Sequence, residues 1–561
     1  MIDFRSQLKD RQKILLYSIL GVIWSLSNIG YIKFFGSAFA WFTLAPAIFF
    51  LKNEKNYDGV KYSTIFGFVA YLTHFWWLVV PVTGMSKTFG LPDWITPLSI
   101  LLGLVIFLGL SFFSGLNYTL CYVVSKFVGK NKSFLFYFCF AISGTVFDYF
   151  YPKLWADYLG YSQYQMVNII QSVDLFGISY VTFLIMLVNT GLAYLFETLL
   201  QYFQTEDSSK RVFNKNSFKY CIGVFLLVVI TAVYGGIRYD FINSKMKAAK
   251  KVSIGIVQGN ISGAEKKRKN SSEMIGIYSN LSSELLVEHP KLIVWPESAV
   301  SIWFDEEQND FSRVRRRYSG NSLLLFGGHA RRNNGLGVSS DIFNSLFLVD
   351  SNGEKIDSYY KNKLLPFIER APARFLSFVI SMMGLKEFSP GEGPVFIKHD
   401  GLKMAVNICY EALIPEYIRK SIFDKNGECA NVIVNCTNDS WFGKTIEPEM
   451  HLRISTIRAI ENRRCLVRAT CTGYSVFVDA NGVIDYRSHL YKPEAHVEKV
   501  PLLEIKSFYT SHGWIFIYLL GLIFAFCFSI VALYRLYVYL RITRREKYND
   551  YIKRRHDIWM R

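Results

Sequence analysis

The chain has 561 residues, 51% of them hydrophobic and 17% aromatic, with 19% charged and a net charge of +18. That is too apolar for an ordinary soluble enzyme and too charged for a bare bundle of membrane helices, so a lipid-embedded region and a globular region are both expected. Nucleic-acid binding is the reflex reading of so basic a chain, and it depends on where the charge sits.

Seven early stretches are long enough, or nearly so, to cross a bilayer, which takes about 20 apolar residues. They lie near residues 14–29, 34–51, 64–81, 94–125, 133–150, 173–199 and 217–237, and an eighth lies near 513–534. The short basic arm before the first resembles a signal-peptide start, and Ala38-Phe39-Ala40 resembles a cleavage site. Apolar sequence continues past it, so an uncleaved anchor is expected. If the eight spans alternate, segments 1–13, 52–63, 126–132, 200–219 and 535–561 share one side. Their Lys and Arg number 4, 3, 3, 4 and 9, or 23 in all, against Lys33, Lys87 and Lys153 in the short opposite loops. The positive-inside rule makes the first set cytoplasmic. With nine acids they hold +14 of the +18. The basic balance therefore reflects topology and attraction to anionic lipid, and no nucleic-acid partner is expected. Segment 240–510 then lies outside the cytoplasmic membrane. The expected organisation is a membrane domain over 1–239, an extracytoplasmic domain over 240–510, and a last span with a basic cytoplasmic tail over 511–561.

Within 240–510 the long apolar runs give way to short ones: KVSIGIVQG (251–259), KLIVWPES (291–298), SLLLFGGHA (322–330), LKMAVNICY (402–410) and NVIVNCTN (431–438). Continuous Val-, Ile- and Leu-rich runs of this length suit strands covered on both faces. SNGE (351–354) and DANG (479–482) are hairpin-turn signals. Helical sequence intervenes, notably EPEMHLRISTIRAIENRR (447–464). The class is α/β, sheets between helical layers. Of nine cysteines, four lie in spans and five in this segment, an odd number, so at least one is outside any intrachain disulfide. No CxxC pair exists, and no metal site is expected.

Three polar residues end apolar runs. Glu297 follows a strand and a Pro, where partial burial would make it a useful base; a glutamate there also suits a helix N-terminus. Lys361 in YYKNKLLPF (359–367) has the ordinary alternative of a solvated surface charge. Cys409 could be a small core residue, but beside a cation its thiolate would become available. Each alone is weak.

In the order Glu, Lys, Cys, the stretches WPES, YYKNKLLPF, NICYE and NCTNDSWFG resemble the nitrilase (carbon–nitrogen hydrolase) superfamily. With seven spans before and one after, nearly all of residues 14–536 resembles its membrane-integrated branch, the apolipoprotein N-acyltransferase family. GYSQ (160–163) and DLFG (174–177) resemble the family's membrane half. The resemblance implies a helical membrane bundle of eight spans joined to an αββα sandwich. It implies Glu297 as general base, Lys361 as oxyanion and thiolate support, and Cys409 as nucleophile. Glu369 matches a second glutamate near the site, Tyr410 and Glu411 flank the cysteine, and Trp441 and Phe442 match an active-site loop. Two positions depart from the family pattern. Ile368 stands where glycine is usual, so the backbone before Glu369 is less free to take positive φ. The early loop ISGAEKKRKN (261–270) has lysine near the place of a tryptophan.

The implied reaction moves an acyl chain from a phospholipid, with phosphatidylethanolamine the expected donor, to the α-amine of a diacylated apolipoprotein. It proceeds through a thioester with ping-pong kinetics, and needs no ATP because an amide replaces an ester. No cofactor is expected: WFGKT (441–445) ends like a phosphate loop, but Asn438 sits where the first glycine should be. Lys361 and the Tyr410 N–H are the expected oxyanion donors. RFLSFVISMMGL (374–385), too short to span, is read as an arm dipping into the interface, with a core helix as the alternative. His451 invites a Cys–His dyad but lies on a charged helical stretch. Rival readings are a membrane-tethered amidase of the same superfamily, a non-catalytic lipoprotein-binding protein, and a transporter. The last is disfavoured because no paired ionisable residues mark an ion path. A monomer in the bacterial inner membrane is expected.

Overall fold

The computed structural model describes residues 8–27, 35–83, 96–129, 132–205, 214–315, 320–333, 340–366, 368–371, 377 and 387–559. The expected interfacial arm at 374–385 falls almost wholly outside these residues.

The first half is helical: α1 (Asp10–Leu26), α2 (Phe35–Phe39), α3 (Ala45–Asn53), α4 (Asn56–His74), α5 (Thr96–Gly129), α6 (Ser133–Phe150), α7 (Ile178–Gln204) and α8 (Lys215–Ala248). Of these, α5 to α8 are long and apolar enough to cross a membrane, as is one later helix over Ile515–Lys553, so five helices qualify by length and composition among the described residues. The second predicted span is broken between α2 and α3. Pro46 sits at the start of α3, where its missing N–H costs nothing. The amides of Leu44 and Ala45, which no helical carbonyl reaches, both donate to Asn189 Oδ1 of α7 at 2.9 Å. The third predicted span ends at His74 and continues as short turns. The sixth starts later than expected, because Gly177 at φ 70° separates a short turn from α7.

The membrane half does hold paired ionisable residues, contrary to expectation. Lys153 lies 2.6 Å from Asp148, and His74 Nε2 lies 2.9 Å from Asp157. The cluster sits at the end of α6 and in the loop after it, under the catalytic domain, and Asp148 also accepts from the Leu159 amide at 3.0 Å.

The α8 helix passes the expected boundary at 239 without a break. Its 34 residues reach about 50 Å, more than a bilayer core, and its last turns pack Ile242 and Met246 against Ala480 and Leu503 of the following domain.

That domain is two sheets face to face. One runs β13–β1–β2–β4–β5–β6 with β3 beside β4; the other runs β12–β11–β10–β9–β8–β7. The strands are β1 (Lys251–Gln258), β2 (Leu292–Val294), β3 (Trp303–Asp305), β4 (Leu323–Asn333), β5 (Ser340–Val349), β6 (Lys355–Tyr360), β7 (Phe396–His399), β8 (Leu402–Ile408), β9 (Val432–Thr437), β10 (Cys465–Thr470), β11 (Val476–Val478), β12 (Ile484–Arg487) and β13 (Glu494–Pro501). Central strands β1–β2–β4 and β8–β9–β10 are parallel, matching their unbroken apolar runs. SNGE and DANG form the β5–β6 and β11–β12 hairpins, with Gly353 and Gly482 at positive φ.

Val252, Ile254 and Leu325 of the first sheet meet Met404, Val434 and Val467 of the second in one buried core. Helix α9 (Ser271–Glu284) covers the outer face of the first sheet. Helices α10 (Pro415–Ser421) and α11 (Glu447–Asn462) cover the second, which completes the helix–sheet–sheet–helix layering. The other side of α11 packs on the membrane half, with Met450, Ile454 and Ile457 in the membrane core cluster. The last helix, α12, runs Ile515–Trp559.

Candidate active site

The turn after β2 carries Glu297. Ser298 takes φ 50°, and the turn lies flat on Gly327 of β4, where a Cβ would stand 2.7 Å from Glu297 Cα. Lys361 directly follows β6, fixed by its amide to the Asn344 carbonyl at 2.8 Å. Cys409 directly follows β8, a non-glycine residue at φ 49°, and opens a tight turn over residues 409–413. Such a left-handed residue costs about 1–2 kcal/mol, so the surroundings must hold it.

Glu411 does much of the holding. Its carboxylate accepts from the amides of Ile408 (2.7 Å), Asn362 (2.8 Å) and Lys363 (2.9 Å), and from Tyr359 Oη (2.7 Å). One buried side chain thereby ties the Cys409 turn to the Lys361 segment.

Lys361 is buried, with Nζ 2.8 Å from Glu369 and 3.5 Å from Glu297 Oε1. Burial alone would lower its pKa, but the Glu369 and Glu297 carboxylates outweigh that and hold it above the ordinary lysine value, so it stays cationic. Glu369 also accepts from the Leu365 amide at 2.7 Å; Ile368 in place of glycine does not keep it from the lysine. Asn344, on β5, donates Nδ2 to Glu297 (2.6 Å) and to Glu369 (3.0 Å). Sequence reasoning missed it, although a lone amide inside the apolar run IFNSLFLV is a usable signal.

Cys409 keeps partial exposure, whereas Cys429, Cys436, Cys465 and Cys471 are buried; all nine cysteines are free. Burial raises the Cys409 pKa well above the ordinary thiol range and the Glu297 charge adds to this, while Lys361 and the Thr437 hydroxyl oppose it. The resting group is a thiol, within electrostatic reach of both a base and a cation. Glu297, Lys361, Glu369 and Cys409 thus form one site.

Tyr410 reaches the other way, with Oη donating to the Leu154 carbonyl of the membrane half at 3.0 Å. Trp441 is partly exposed; Phe442 is buried against Trp77 and Trp155 of the membrane half. His451 does not bond to the thiol: its Nε2 lies 3.3 Å from the Cys409 carbonyl oxygen and its Nδ1 3.1 Å from Asp439 Oδ1, so there is no Cys–His dyad.

The two halves are also locked together further along α11. Arg463, fully buried, pairs with Asp174 of DLFG at 2.9 Å and bonds Gln171 Oε1 at 2.6 Å. Arg458 donates to Tyr161 of GYSQ at 2.9 Å.

Two family models match this chain: the apolipoprotein N-acyltransferase N-terminal domain over residues 20–191, and carbon–nitrogen hydrolase over 253–490. An apolipoprotein N-acyltransferase of Geobacter metallireducens is 28% identical over 86% of this chain and 88% of its own length. That of Rickettsia typhi is 28% identical over 79% and 84%. Among solved structures, an amidase from Nesterenkonia sp. is similar over 47% of this chain and 94% of its own, at 17% identity and a TM-score of 0.32. Both family models match in tandem over most of the chain, and relatives named apolipoprotein N-acyltransferase match it nearly end to end, so the chain is similar along most of its length to that membrane enzyme family, with a carbon–nitrogen hydrolase domain.

Proposed function

We propose that this chain transfers an acyl chain from a phospholipid, through a thioester on Cys409, to the α-amine of the N-terminal diacylglyceryl-cysteine of apolipoproteins. The observation that carries it is the partly exposed cysteine on a turn that Tyr410 pins to the membrane half, within electrostatic reach of the buried Glu297–Lys361–Glu369 cluster. A soluble amide as substrate would not call for that placement.

Glu297 takes the thiol proton, and the thiolate attacks the ester carbonyl of the lipid. Lys361 and the Tyr410 N–H meet the oxyanion; one such donor is worth about 10²–10³ in rate. Collapse expels the lysophospholipid alkoxide, which takes the proton back from Glu297. The apolipoprotein amine then attacks the thioester, Glu297 takes its proton, and the thiolate leaves and is reprotonated. Proton sharing makes the pKa values those of the cluster. Glu369 and Asn344 touch no reacting atom in this scheme; they hold Lys361 and Glu297 in place.

The chain crosses the bacterial inner membrane eight times in this reading, with residues 240–510 on the outer side. The donor is phosphatidylethanolamine, and the enzyme acts as a monomer. The test is mass spectrometry of a diacylated lipopeptide incubated with phospholipid and the purified chain. A gain of one acyl mass, absent with Cys409→Ser, supports the reading. Release of a small amide hydrolysis product without acyl gain would instead make the chain a tethered amidase.

A further inference from the structure

His451 lies on α11 beneath the Cys409 turn, fully buried, bridging two acceptors: the Asp439 carboxylate and the Cys409 carbonyl. Asp439 is itself anchored by Arg468 at 3.0 Å, and the Trp155 ring packs edge-on against the imidazole, 6.0 Å between centroids. This bridge reaches the main chain of the nucleophile and not its sulfur. The carbonyl it meets belongs to the same peptide unit as the Tyr410 N–H.

A donor on a peptide oxygen polarises the whole group and makes its N–H a stronger donor, because linked hydrogen bonds reinforce one another. The same contact fixes the plane of that peptide, at a residue whose left-handed φ of 49° leaves the turn under strain. Glu411 fixes the Asn407–Ile408 peptide, one unit further back along the chain, through the Ile408 amide. We propose that His451 is a positioning residue for the oxyanion site, donating from Nε2 to the Cys409 carbonyl and so orienting and polarising the Cys409–Tyr410 peptide whose N–H meets the developing oxyanion.

Because both partners are acceptors, both contacts are hydrogen bonds only when the ring carries two protons. The charged groups facing it are Asp439 from the turn after β9, Arg468 from β10 and Glu447 from its own helix, with Nδ1 3.6 Å from Glu447 Oε1 and the Cys409 thiol on the turn above. Burial and Arg468 outweigh Asp439 and the Cys409 carbonyl and hold the ring's pKa below the ordinary histidine value, so the second proton, and with it the paired contact, is gained as the pH falls.

This proposal rests on the acyl-transfer reading, and two amide variants test it. His451→Gln keeps an N–H where Nε2 stood; His451→Asn keeps one where Nδ1 stood, and so loses the Cys409 carbonyl while retaining Asp439. The full-length protein is given phospholipid, and thioester formation, the KM for phospholipid and thermal unfolding are measured. His451→Asn is expected to slow thioester formation about tenfold, part of what a whole oxyanion donor is worth, with KM within twofold; His451→Gln should stay within about threefold of the parent. Equal loss in both variants, parental rates in both, or a loss confined to KM and stability overturns it. If His451→Asn does not fold, Asp439→Asn leaves the ring in place and removes its counter-charge; a rate fall of a few-fold at unchanged KM supports the proposal, and no change overturns it. Failure of the parent itself to form a thioester would reject the acyl-transfer reading, whereas a normal parent with a normal Asn variant rejects this proposal alone.

Discussion

A single methyl group at Gly327 should disable the site without touching any reacting atom. The turn bearing Glu297 crosses β4 directly over this glycine, and a Cβ there would sit 2.6 Å from the Ser298 nitrogen and 2.7 Å from Glu297 Cα, with the Pro296 carbonyl closer still. Non-bonded heavy atoms settle at about 3.5–4.0 Å, so Gly327→Ala must push the turn away by about 1 Å. The neighbours are backbone on both sides, so no side chain can swing aside. Overpacking of this kind costs about 1–3 kcal/mol, a few degrees in melting temperature. A displacement of about 1 Å at a positioned catalytic group costs about 10²-fold in rate. The assay pairs thermal unfolding with the rate of thioester formation. A folded Gly327→Ala protein with a rate within twofold of the parent would refute the argument that this turn sets the position of Glu297.

Other substitutions probe the supports. Glu411→Ala strands the amides of Ile408, Asn362 and Lys363. At about 1–3 kcal/mol for each unpaired buried donor, the loss should exceed about 3 kcal/mol, and an unfolding midpoint unchanged from the parent would contradict it. Arg463→Ala removes the buried partner that joins Asp174 to the catalytic domain, while Arg238 still neutralises that carboxylate, an expected loss of about 1–3 kcal/mol; unaltered proteolysis of the junction between halves would count against it. Cys471→Ala should retain thioester formation, since Cys471 is buried and donates to the Glu297 carbonyl at 3.2 Å, whereas Cys409→Ala should abolish it. His329 is held down to about 4 by burial and by Lys266, below its ordinary value, so it folds as the neutral ring. Its contribution is therefore complete above about pH 6.5 and is lost as pH falls from there toward 4, by up to about 3 kcal/mol. His329→Phe, which keeps a ring beside Trp303 and Phe388, should flatten the stability profile across that window, and an unchanged slope would exclude this source.

Glu297, Lys361 and Cys409 were legible because each ends an apolar run, and such ends project from the sheet edges where a site can form. Asn344 was harder to see: its position in IFNSLFLV marks it as unusual, but its two carboxylate partners come from residues 47 positions before and 25 after. Glu411 looked like a flanking residue, since its three amide donors lie in two segments some 50 residues apart. The break inside the second predicted span was hidden for a similar reason. Apolar length registers lipid compatibility, but the break before Pro46 depends on Asn189, 144 residues further on. His451 drew attention as a histidine near a cysteine; that it meets the carbonyl and not the sulfur depends on the left-handed turn at Cys409, which sequence spacing does not encode.

The claim at the centre is that the Cys409 sulfur carries the acyl chain between donor and acceptor. Intact-protein mass spectrometry after incubation with phospholipid alone tests this most directly. The account predicts a mass increase of one acyl group, mapped to the peptide containing Cys409, removed by neutral hydroxylamine and discharged by the lipopeptide amine. An unmodified Cys409 in a preparation that still acylates the lipopeptide would contradict it.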